Sequence, residues 1–276
     1  MLALLLVASV AIPRAIITDP PHDAKHPAAM VVLHIPSGGV NINGVAYVAQ
    51  GAGPHPTLVL LHGHPGNEKN LDLAQAARRA GWNAITFNYR GSWGSPGAFR
   101  FAQTLEDASA ALAYLRDAAN AKSLRVDTSR IVLGGHSMGG WVTALVASRD
   151  HALRGAILIS PANIVRHSFD RAQAIEHMRD NMESLAGTTP EQMADEVIAN
   201  REAFDWNNAV AGLTRTPLLV VTSDDGLAPA AMTLANAVRK AGSARVTTKR
   251  IATDHAYSDR RIALETEVIR WLSSID

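Results

Sequence analysis

The stretch Arg130–Trp141 constrains this chain more than any other, because in it a short apolar run leads into a serine flanked by glycines. Residues 135–139 read Gly-His-Ser-Met-Gly, and a helix-favouring run follows directly. A sharp strand-to-helix turn at a serine needs glycine two positions on either side, since larger side chains would collide there. The pattern predicts that the Ser137 hydroxyl is exposed at such a turn, with the amides of the helix N terminus directed at it. The alternative is a glycine-rich turn in which the serine has no chemical role.

The composition is that of a globular protein, with 47% hydrophobic and 18% charged residues. A length of 276 residues is enough for one large α/β domain. The net charge of +1 gives no electrostatic reason to expect binding to nucleic acid. Because the chain has no cysteine, disulfides, thiolate metal sites and a cysteine nucleophile are excluded.

The first eleven residues form an apolar run typical of the core of a secretory signal, and Ser9-Val10-Ala11 fits a small-x-small cleavage site. The usual positive residues are missing, and the run is shorter than the about 20 apolar residues that span a bilayer. We expect a secreted or periplasmic protein with no integral membrane span; a cytoplasmic protein is the alternative. Residues 1–29 are expected to comprise this signal segment and an extended lead-in rich in proline and histidine.

Short apolar runs alternate with helix-favouring runs through most of the chain. This alternation predicts βαβ units around a mainly parallel sheet, whose carboxyl edge carries the chemistry. Two β-rich runs at 30–35 and 40–49 predict an antiparallel start to the sheet. Besides the strand before Gly134, the predicted strands are Thr57–Leu61, Asn83–Tyr89, Gly155–Ile159, Pro217–Val221 and Arg245–Ile251, and the predicted helices are Leu71–Ala80, Phe101–Ala118, Ala228–Lys240 and Arg260–Leu272.

Residues 162–213 interrupt the alternation with about 50 residues that have no strand pattern. Apolar residues recur there at helical spacing, and the segment is too long for an ordinary connection. We predict a helical cap inserted over the site, between two parts of one core domain at 30–161 and 214–276. A peripheral helical insertion, remote from the substrate, is the alternative.

Several short segments occur in an order typical of one protein family. They are His62-Gly63-His64-Pro65-Gly66, Asn88-Tyr89-Arg90-Gly91-Ser92-Trp93-Gly94-Ser95, Gly135-His136-Ser137-Met138-Gly139, Asp225-Gly226-Leu227-Ala228-Pro229 and Asp254-His255. They resemble, in turn, the oxyanion loop, the Asp-x-Arg-Gly-x-Gly-x-Ser loop, the nucleophile elbow, the acid turn and the histidine loop of the α/β-hydrolase superfamily. The second segment departs from the pattern, since Asn88 replaces the aspartate and one extra residue precedes Gly94. The resemblance implies the α/β-hydrolase fold, with a mostly parallel central sheet flanked by helices.

The resemblance implies a catalytic triad of Ser137, His255 and Asp225, in the chain order that this fold uses. In such a triad the histidine activates the serine and then protonates the leaving group, while the aspartate orients the histidine. Asp225 is favoured because Pro229 follows it by four residues, the spacing of the family's acid turn. Asp224 is the alternative.

The resemblance also implies an oxyanion hole formed by the backbone N–H groups of His64 and Met138. We expect His62 and His136 to be structural. No metal or cofactor is expected, because no further His or Asp ligands follow the His62-x-His64 pair. Five residues are candidate walls of a substrate pocket, with packing in the core or cap as the alternative: Tyr89, Trp93, Phe169, Met178 and Trp206.

A serine nucleophile implies acyl transfer to water, whereas dehalogenases and epoxide hydrolases of this superfamily use an aspartate. The chain resembles the serine esterase and acylaminoacyl-peptidase branch. Peptidases of that branch carry a large propeller ahead of the catalytic domain, and only about 55 residues precede the resemblance here. The expected activity is therefore hydrolysis of small carboxylic esters through an acyl-enzyme. A peptidase or amidase with the same triad, and a non-catalytic binding module, are the alternatives.

Overall fold

The computed structural model of the protein describes residues 11–165 and 170–276. Eight strands form one sheet in the order β1-β2-β4-β3-β5-β6-β7-β8. The strands are β1 (Ala29–Ser37), β2 (Val40–Val48), β3 (His55–Leu61), β4 (Asn83–Phe87), β5 (Val126–His136), β6 (Gly155–Ile159), β7 (Leu218–Thr222) and β8 (Val246–Arg250).

The sheet begins antiparallel and continues parallel. β2 pairs antiparallel with both β1 and β4, whereas every pair from β4 across to β8 is parallel. Gly38 and Gly39 form the two-residue turn between β1 and β2, with φ of +55° and +83°. Positive φ at both central residues is what a tight hairpin turn of this kind requires. The predicted mostly parallel sheet with an antiparallel start is confirmed.

The sheet is covered by helices on both faces. They are α1 (Arg14–Ile17), α2 (Leu71–Arg79), α3 (Phe101–Arg116), α4 (Ala118–Leu124), α5 (Met138–Ala147), α6 (Arg171–Arg179), α7 (Pro190–Ala199), α8 (Arg201–Phe204), α9 (Val210–Leu213), α10 (Ala228–Lys240) and α11 (Arg261–Ile275), with a 3₁₀ turn at Trp206–Ala209. The helix predicted over 101–118 ends earlier, at Arg116. Asp117 is extended there, and its carboxylate accepts hydrogen bonds from the N–H groups of Ala119 and Asn120, which begins α4.

The core has two layers because successive strand residues point to opposite faces of the sheet. Leu58 and Val132 pack with α2 and α11 on one face. Val59 and Leu133 pack with α3, α5 and α10 on the other. The central parallel strands are buried on both sides, which explains their continuous apolar sequences.

The insertion at 162–213 contains α6 to α9 and, in its described part, no strand. It is attached to the core at the start of α3, where the Glu196 carboxylate accepts hydrogen bonds from the N–H groups of Phe101 and Ala102, at 2.9 and 2.8 Å. An ion pair between Arg171 and Asp195 joins α6 to α7. The insertion is therefore bound to the N-terminal end of α3, and its first two helices are joined to each other.

The predicted secretory signal lies almost entirely outside the described residues, which begin at residue 11. Over residues 11–165 and 170–276, no helix has the length and apolar character needed to cross a membrane.

Candidate active site

Ser137 lies on the turn between β5 and α5. The strand ends at His136, the helix begins at Met138, and Ser137 has φ +58° and ψ −122°. Two glycines allow this turn. A Cβ atom at Gly135 would lie 2.1 Å from the carbonyl oxygen of Gly139, and one at Gly139 would lie 2.4 Å from the carbonyl oxygen of Leu61. The glycines are thus needed for close backbone contact, as the spacing predicts.

A stability measurement tests this explanation. Gly135→Ala is expected to lower the free energy of unfolding by about 3 kcal/mol, because its methyl group would overlap a backbone carbonyl that cannot move freely. Gly134→Ala is the matched control, since its nearest neighbour is a side-chain carbon 3.3 Å away, and a loss of about 1 kcal/mol is expected. Urea unfolding of both variants gives the comparison. Equal losses would contradict the role of the glycine in the turn.

His255 and Asp225 are joined by a hydrogen bond of 2.7 Å between Nδ1 and Oδ2. Asp225 lies just after β7, and His255 lies in the loop between β8 and α11. A carboxylate only accepts, so His255 Nδ1 is the donor and Nε2 remains available to a substrate or to the serine. The other Asp225 oxygen accepts from the N–H of Leu227 at 2.9 Å.

The Asp225 side chain is only 5% exposed, yet its surroundings favour the ionised form. Burial raises the pKa of this carboxyl. The hydrogen bonds from His255, the Leu227 N–H and the Ser223 hydroxyl outweigh burial and hold the pKa below its usual range. Asp225 is therefore a carboxylate at neutral pH, able to orient His255.

The two other aspartates near His255 point elsewhere. Asp224 forms an ion pair with Arg250, with 2.7 Å between Oδ1 and Nη2. Asp254 accepts a hydrogen bond from the N–H of Ser258 at 2.8 Å. Asp225 is thus the one of the three whose carboxylate contacts the histidine.

The candidate residues meet at a cavity of about 320 Å³. Ser137, Asp225 and His255 line it, together with the proposed oxyanion residues His64 and Met138. The remaining lining residues come from α3, from α6 and the turn after it, and from the loops that follow β6 and β7: Phe101, Ala162, Asn163, Ile164, His177, Met178, Asn181 and Leu227. Ser137 and His255 also border a second cleft of about 370 Å³, formed mainly by the loops 63–68 and 254–256. The serine therefore lies between two spaces.

The loop 62–66 passes directly over the elbow. A Cβ atom at Gly63 would lie 2.8 Å from the Cβ of Ser137, so only glycine allows this approach. His62 Nδ1 is 2.8 Å from the Gly63 carbonyl oxygen and donates to it. The Met138 N–H, as the first of α5, has no acceptor within its own helix. The loop 62–66 therefore lies against Ser137, close to the N terminus of α5.

Three of the expected pocket walls are not among the residues lining the cavity. Tyr89 is 1% exposed, and its hydroxyl lies 3.4 Å from the His62 carbonyl oxygen beneath the loop. Trp93 donates from its indole N–H to the Pro65 carbonyl oxygen at 2.8 Å. Trp206 is buried in the larger core cluster. Tyr89 and Trp93 support the loop over the serine, whereas Trp206 packs in the core.

Of the two remaining candidates, Met178 on α6 lines the cavity, and Phe169 lies outside the described residues. Sequence reasoning missed Phe101, the first residue of α3, whose ring centroid is 5.6 Å from that of His64. It also missed His177. No periodic pattern in the sequence identifies Phe101 or His177 as a lining residue, because both side chains reach the cavity through the packing of the insertion against α3.

Burial keeps two histidines beside the site, His64 and His136, in the neutral form at neutral pH. Burial lowers the pKa of His64 to about 4, with a smaller contribution from His177. Burial likewise lowers the pKa of His136 to about 4. His136 Nε2 is 2.8 Å from the backbone carbonyl oxygen of His255, so His136 supports the histidine loop.

In the part of the chain that the structure describes, no group of three or more His, Asp or Glu residues is arranged to hold a metal ion.

Residues 58–265 match the alpha/beta hydrolase family. This chain belongs to the α/β-hydrolase family. The matched range includes the elbow, the acid turn and the histidine loop, so the family assignment covers the whole candidate site. A search among curated protein sequences gives no significant match.

Solved structures of esterases and a peptidase share the α/β-hydrolase fold. EstE1, a thermophilic carboxylesterase cloned from a metagenomic library, has 23% identity and a TM-score of 0.64, with 91% of this chain and 89% of EstE1 covered. A hyperthermophilic esterase from the archaeon Pyrobaculum calidifontis has 20% identity and a TM-score of 0.64, covering 91% and 87%. An acylaminoacyl peptidase from Pyrococcus horikoshii has 15% identity and a TM-score of 0.66, covering 89% of this chain and 41% of the peptidase. The predicted fold and superfamily are confirmed.

Proposed function

We propose that the protein is a serine hydrolase that cleaves small carboxylic esters through Ser137, His255 and Asp225. The observation that carries this proposal is the 2.7 Å hydrogen bond between His255 and the buried Asp225 carboxylate, at a cavity that Ser137 lines. Family membership and the fold shared with two esterases support it.

In the proposed reaction the Ser137 oxygen attacks the acyl carbon while His255 Nε2 takes the hydroxyl proton. The bond to the alcohol breaks as His255 returns that proton to the leaving oxygen, which gives an acyl-enzyme. Water then attacks the acyl-enzyme by the same exchange and releases the acid. Asp225 keeps His255 in the required tautomer and stabilises its charged form. The N–H groups of His64 and Met138 would stabilise the oxyanion, each by roughly 3 kcal/mol.

We further propose that the insertion at 162–213 caps the acyl side of the site. Six of its residues line the cavity beside the serine: Ala162, Asn163, Ile164, His177, Met178 and Asn181. With Phe101 and Leu227 on the core side, Met178 contributes an apolar wall suited to a short hydrocarbon acyl group. The export suggested by the N-terminal residues remains a proposal.

A peptidase or amidase is the second candidate, because the same triad chemistry cleaves amides and an acylaminoacyl peptidase shares the fold. Turnover of p-nitrophenyl esters is therefore to be compared with turnover of aminoacyl p-nitroanilides. The ester proposal expects turnover of the esters and no measurable turnover of the anilides. Measurable turnover of the anilides would favour the peptidase, because activated esters are intrinsically more reactive and a peptidase with this triad would cleave them too.

Labelling with a fluorophosphonate tests the proposed serine directly, because the reagent modifies activated serines. We expect one adduct on the folded protein, mapped by mass spectrometry to the peptide that contains Ser137. Heat-denatured protein is the control and should not react. An adduct on another serine would refute the triad, and no adduct on a folded protein would favour the non-catalytic binding module.

A further inference from the structure

Three buried hydroxyl groups lie behind the Asp225 carboxylate. Ser160 follows β6, Ser223 follows β7, and Tyr257 lies two residues after His255; their exposed fractions are 1%, 1% and 0%. The Ser160 hydroxyl oxygen is 2.8 Å from that of Ser223 and 2.9 Å from that of Tyr257. The hydroxyls therefore form a hydrogen-bonded chain that joins two strand ends to the histidine loop.

The hydroxyl chain reaches Asp225 through Ser223, which precedes it by two residues. The Ser223 hydroxyl helps to lower the pKa of the Asp225 carboxyl, which is the effect of a donor beside a carboxylate. Ser160 contacts both Ser223 and Tyr257, so it connects the residue beside Asp225 with the histidine loop. Burial raises the pKa of Tyr257 to about 12, so the phenol stays protonated at neutral pH.

Two of the three residues hold an unusual backbone conformation. Ser160 has φ +38° and Tyr257 has φ +58°, in the left-handed region that favours glycine. Such a conformation costs free energy of order 1 kcal/mol, so a side chain at this position usually has a function. Here the hydroxyl groups of both residues are buried and lie 2.9 Å from each other. The hydroxyl chain is thus more than a by-product of ordinary turn geometry.

We propose that Ser160, Ser223 and Tyr257 are positioning residues that orient the Asp225 carboxylate toward His255. This inference rests on the proposed function. The Leu227 N–H and the His255 ring each hold one carboxylate oxygen, and the hydroxyl chain adds a third donor from inside the fold. Aligned hydroxyl groups strengthen one another's hydrogen bonds in a buried site. Without them the carboxylate keeps only the Leu227 N–H and the His255 ring as partners, and the histidine is held less well for proton transfer.

The proposal predicts a loss of kcat with KM unchanged, because these residues do not touch the cavity. Ser223→Ala is expected to lower kcat about tenfold and Tyr257→Phe about threefold. The double variant should lose about tenfold and not about thirtyfold, since Tyr257 acts through Ser223. Thr222→Val is the matched control: it removes a buried hydroxyl at the end of the same strand, bonded instead to the Lys249 carbonyl oxygen, and should keep wild-type kcat.

A measurement without substrate separates this inference from the proposed function. The low-field ¹H NMR resonance of the His255 Nδ1 proton reports its hydrogen bond to Asp225, whether or not esters are hydrolysed. It should move in Ser223→Ala and Tyr257→Phe and stay in place in Thr222→Val. Tyr257→Phe keeps the buried ring and decides the question if Ser223→Ala does not fold. An unmoved resonance in both variants, or losses of kcat that multiply, would overturn the proposal.

Discussion

Ser137→Ala is expected to lower kcat for p-nitrophenyl esters by a factor of about 10⁴ to 10⁶, the loss seen when a triad nucleophile is removed. The variant keeps the cavity and the His255–Asp225 hydrogen bond, but no atom remains to form the acyl-enzyme. The free energy of unfolding should change by less than about 0.5 kcal/mol, because the backbone turn and its glycine contacts do not depend on the hydroxyl. Steady-state kinetics and urea unfolding of the same preparation give both values.

Ser148→Ala is the matched control for this measurement. Ser148 follows the last residue of α5, the helix that begins just after Ser137, and its hydroxyl bonds the Leu145 carbonyl oxygen at 2.8 Å. It lies at the far end of the helix from the cavity, so kcat should stay at the wild-type value. A serine with no role in the reaction could be replaced with less than about a tenfold loss of kcat. If Ser137→Ala kept a tenth or more of wild-type kcat, the nucleophile would have to be another group.

The arrangement of the sheet was predictable because its signals are local. Leu218–Val221 is a continuous apolar run after Pro217, and Thr222 leads from it into a Ser-Asp-Asp-Gly turn. A run bounded in this way suits a strand covered on both faces, and the structure has β7 there. The Gly38-Gly39 pair likewise identifies the hairpin that starts the sheet.

The positions of the candidate catalytic residues were predictable from motifs that occur directly after strands. Ser137, Asp225 and His255 follow β5, β7 and β8, and the carboxyl ends of parallel strands share one edge of the sheet. The choice between Asp224 and Asp225 depended on a family spacing. The structure adds the physical reason for that choice, since Arg250 pairs with Asp224 and leaves Asp225 to the histidine.

The walls of the cavity could not be predicted in the same way. An aromatic side chain beside the site can face the cavity or support the loop over it, and the sequence pattern is the same in both cases. Tyr89 and Trp93 bond the carbonyl groups of the loop, whereas Phe101 and His177 face the cavity. These directions depend on how the insertion packs on α3, a contact between segments that are far apart in the chain.

The hydroxyl chain behind Asp225 was also missed, for a related reason. Ser160 and Ser223 stand at the ends of predicted strands, where serine is common in turns, so neither residue is distinctive. Their importance comes from the distances of 2.8 and 2.9 Å that join them to each other and to Tyr257. Contacts between three loops that are far apart in the chain produce no periodic pattern in a single sequence.

Asp225→Asn is expected to lower kcat by a factor of about 10³ to 10⁴, with little change in KM. An asparagine can present its amide N–H to His255 Nδ1, which then accepts and leaves Nε2 protonated. That tautomer cannot take the proton of Ser137. The kinetics of ester hydrolysis measure the loss, and fluorophosphonate labelling should slow in parallel, because it depends on the same activation of the serine.

Asp224→Asn separates the two neighbouring carboxylates. It removes a comparable negative charge one residue away, but its partner Arg250 is 68% exposed, and exposed ion pairs contribute only about 0 to 1 kcal/mol. We expect kcat within roughly threefold of the wild type, because the Asp225–His255 hydrogen bond is not disturbed. A large loss in Asp224→Asn with near-normal activity in Asp225→Asn would reverse the assignment and mean that the histidine loop moves before catalysis. Comparable large losses in both would mean that the charge of the acid turn, and not the hydrogen bond of one carboxylate, supports the histidine.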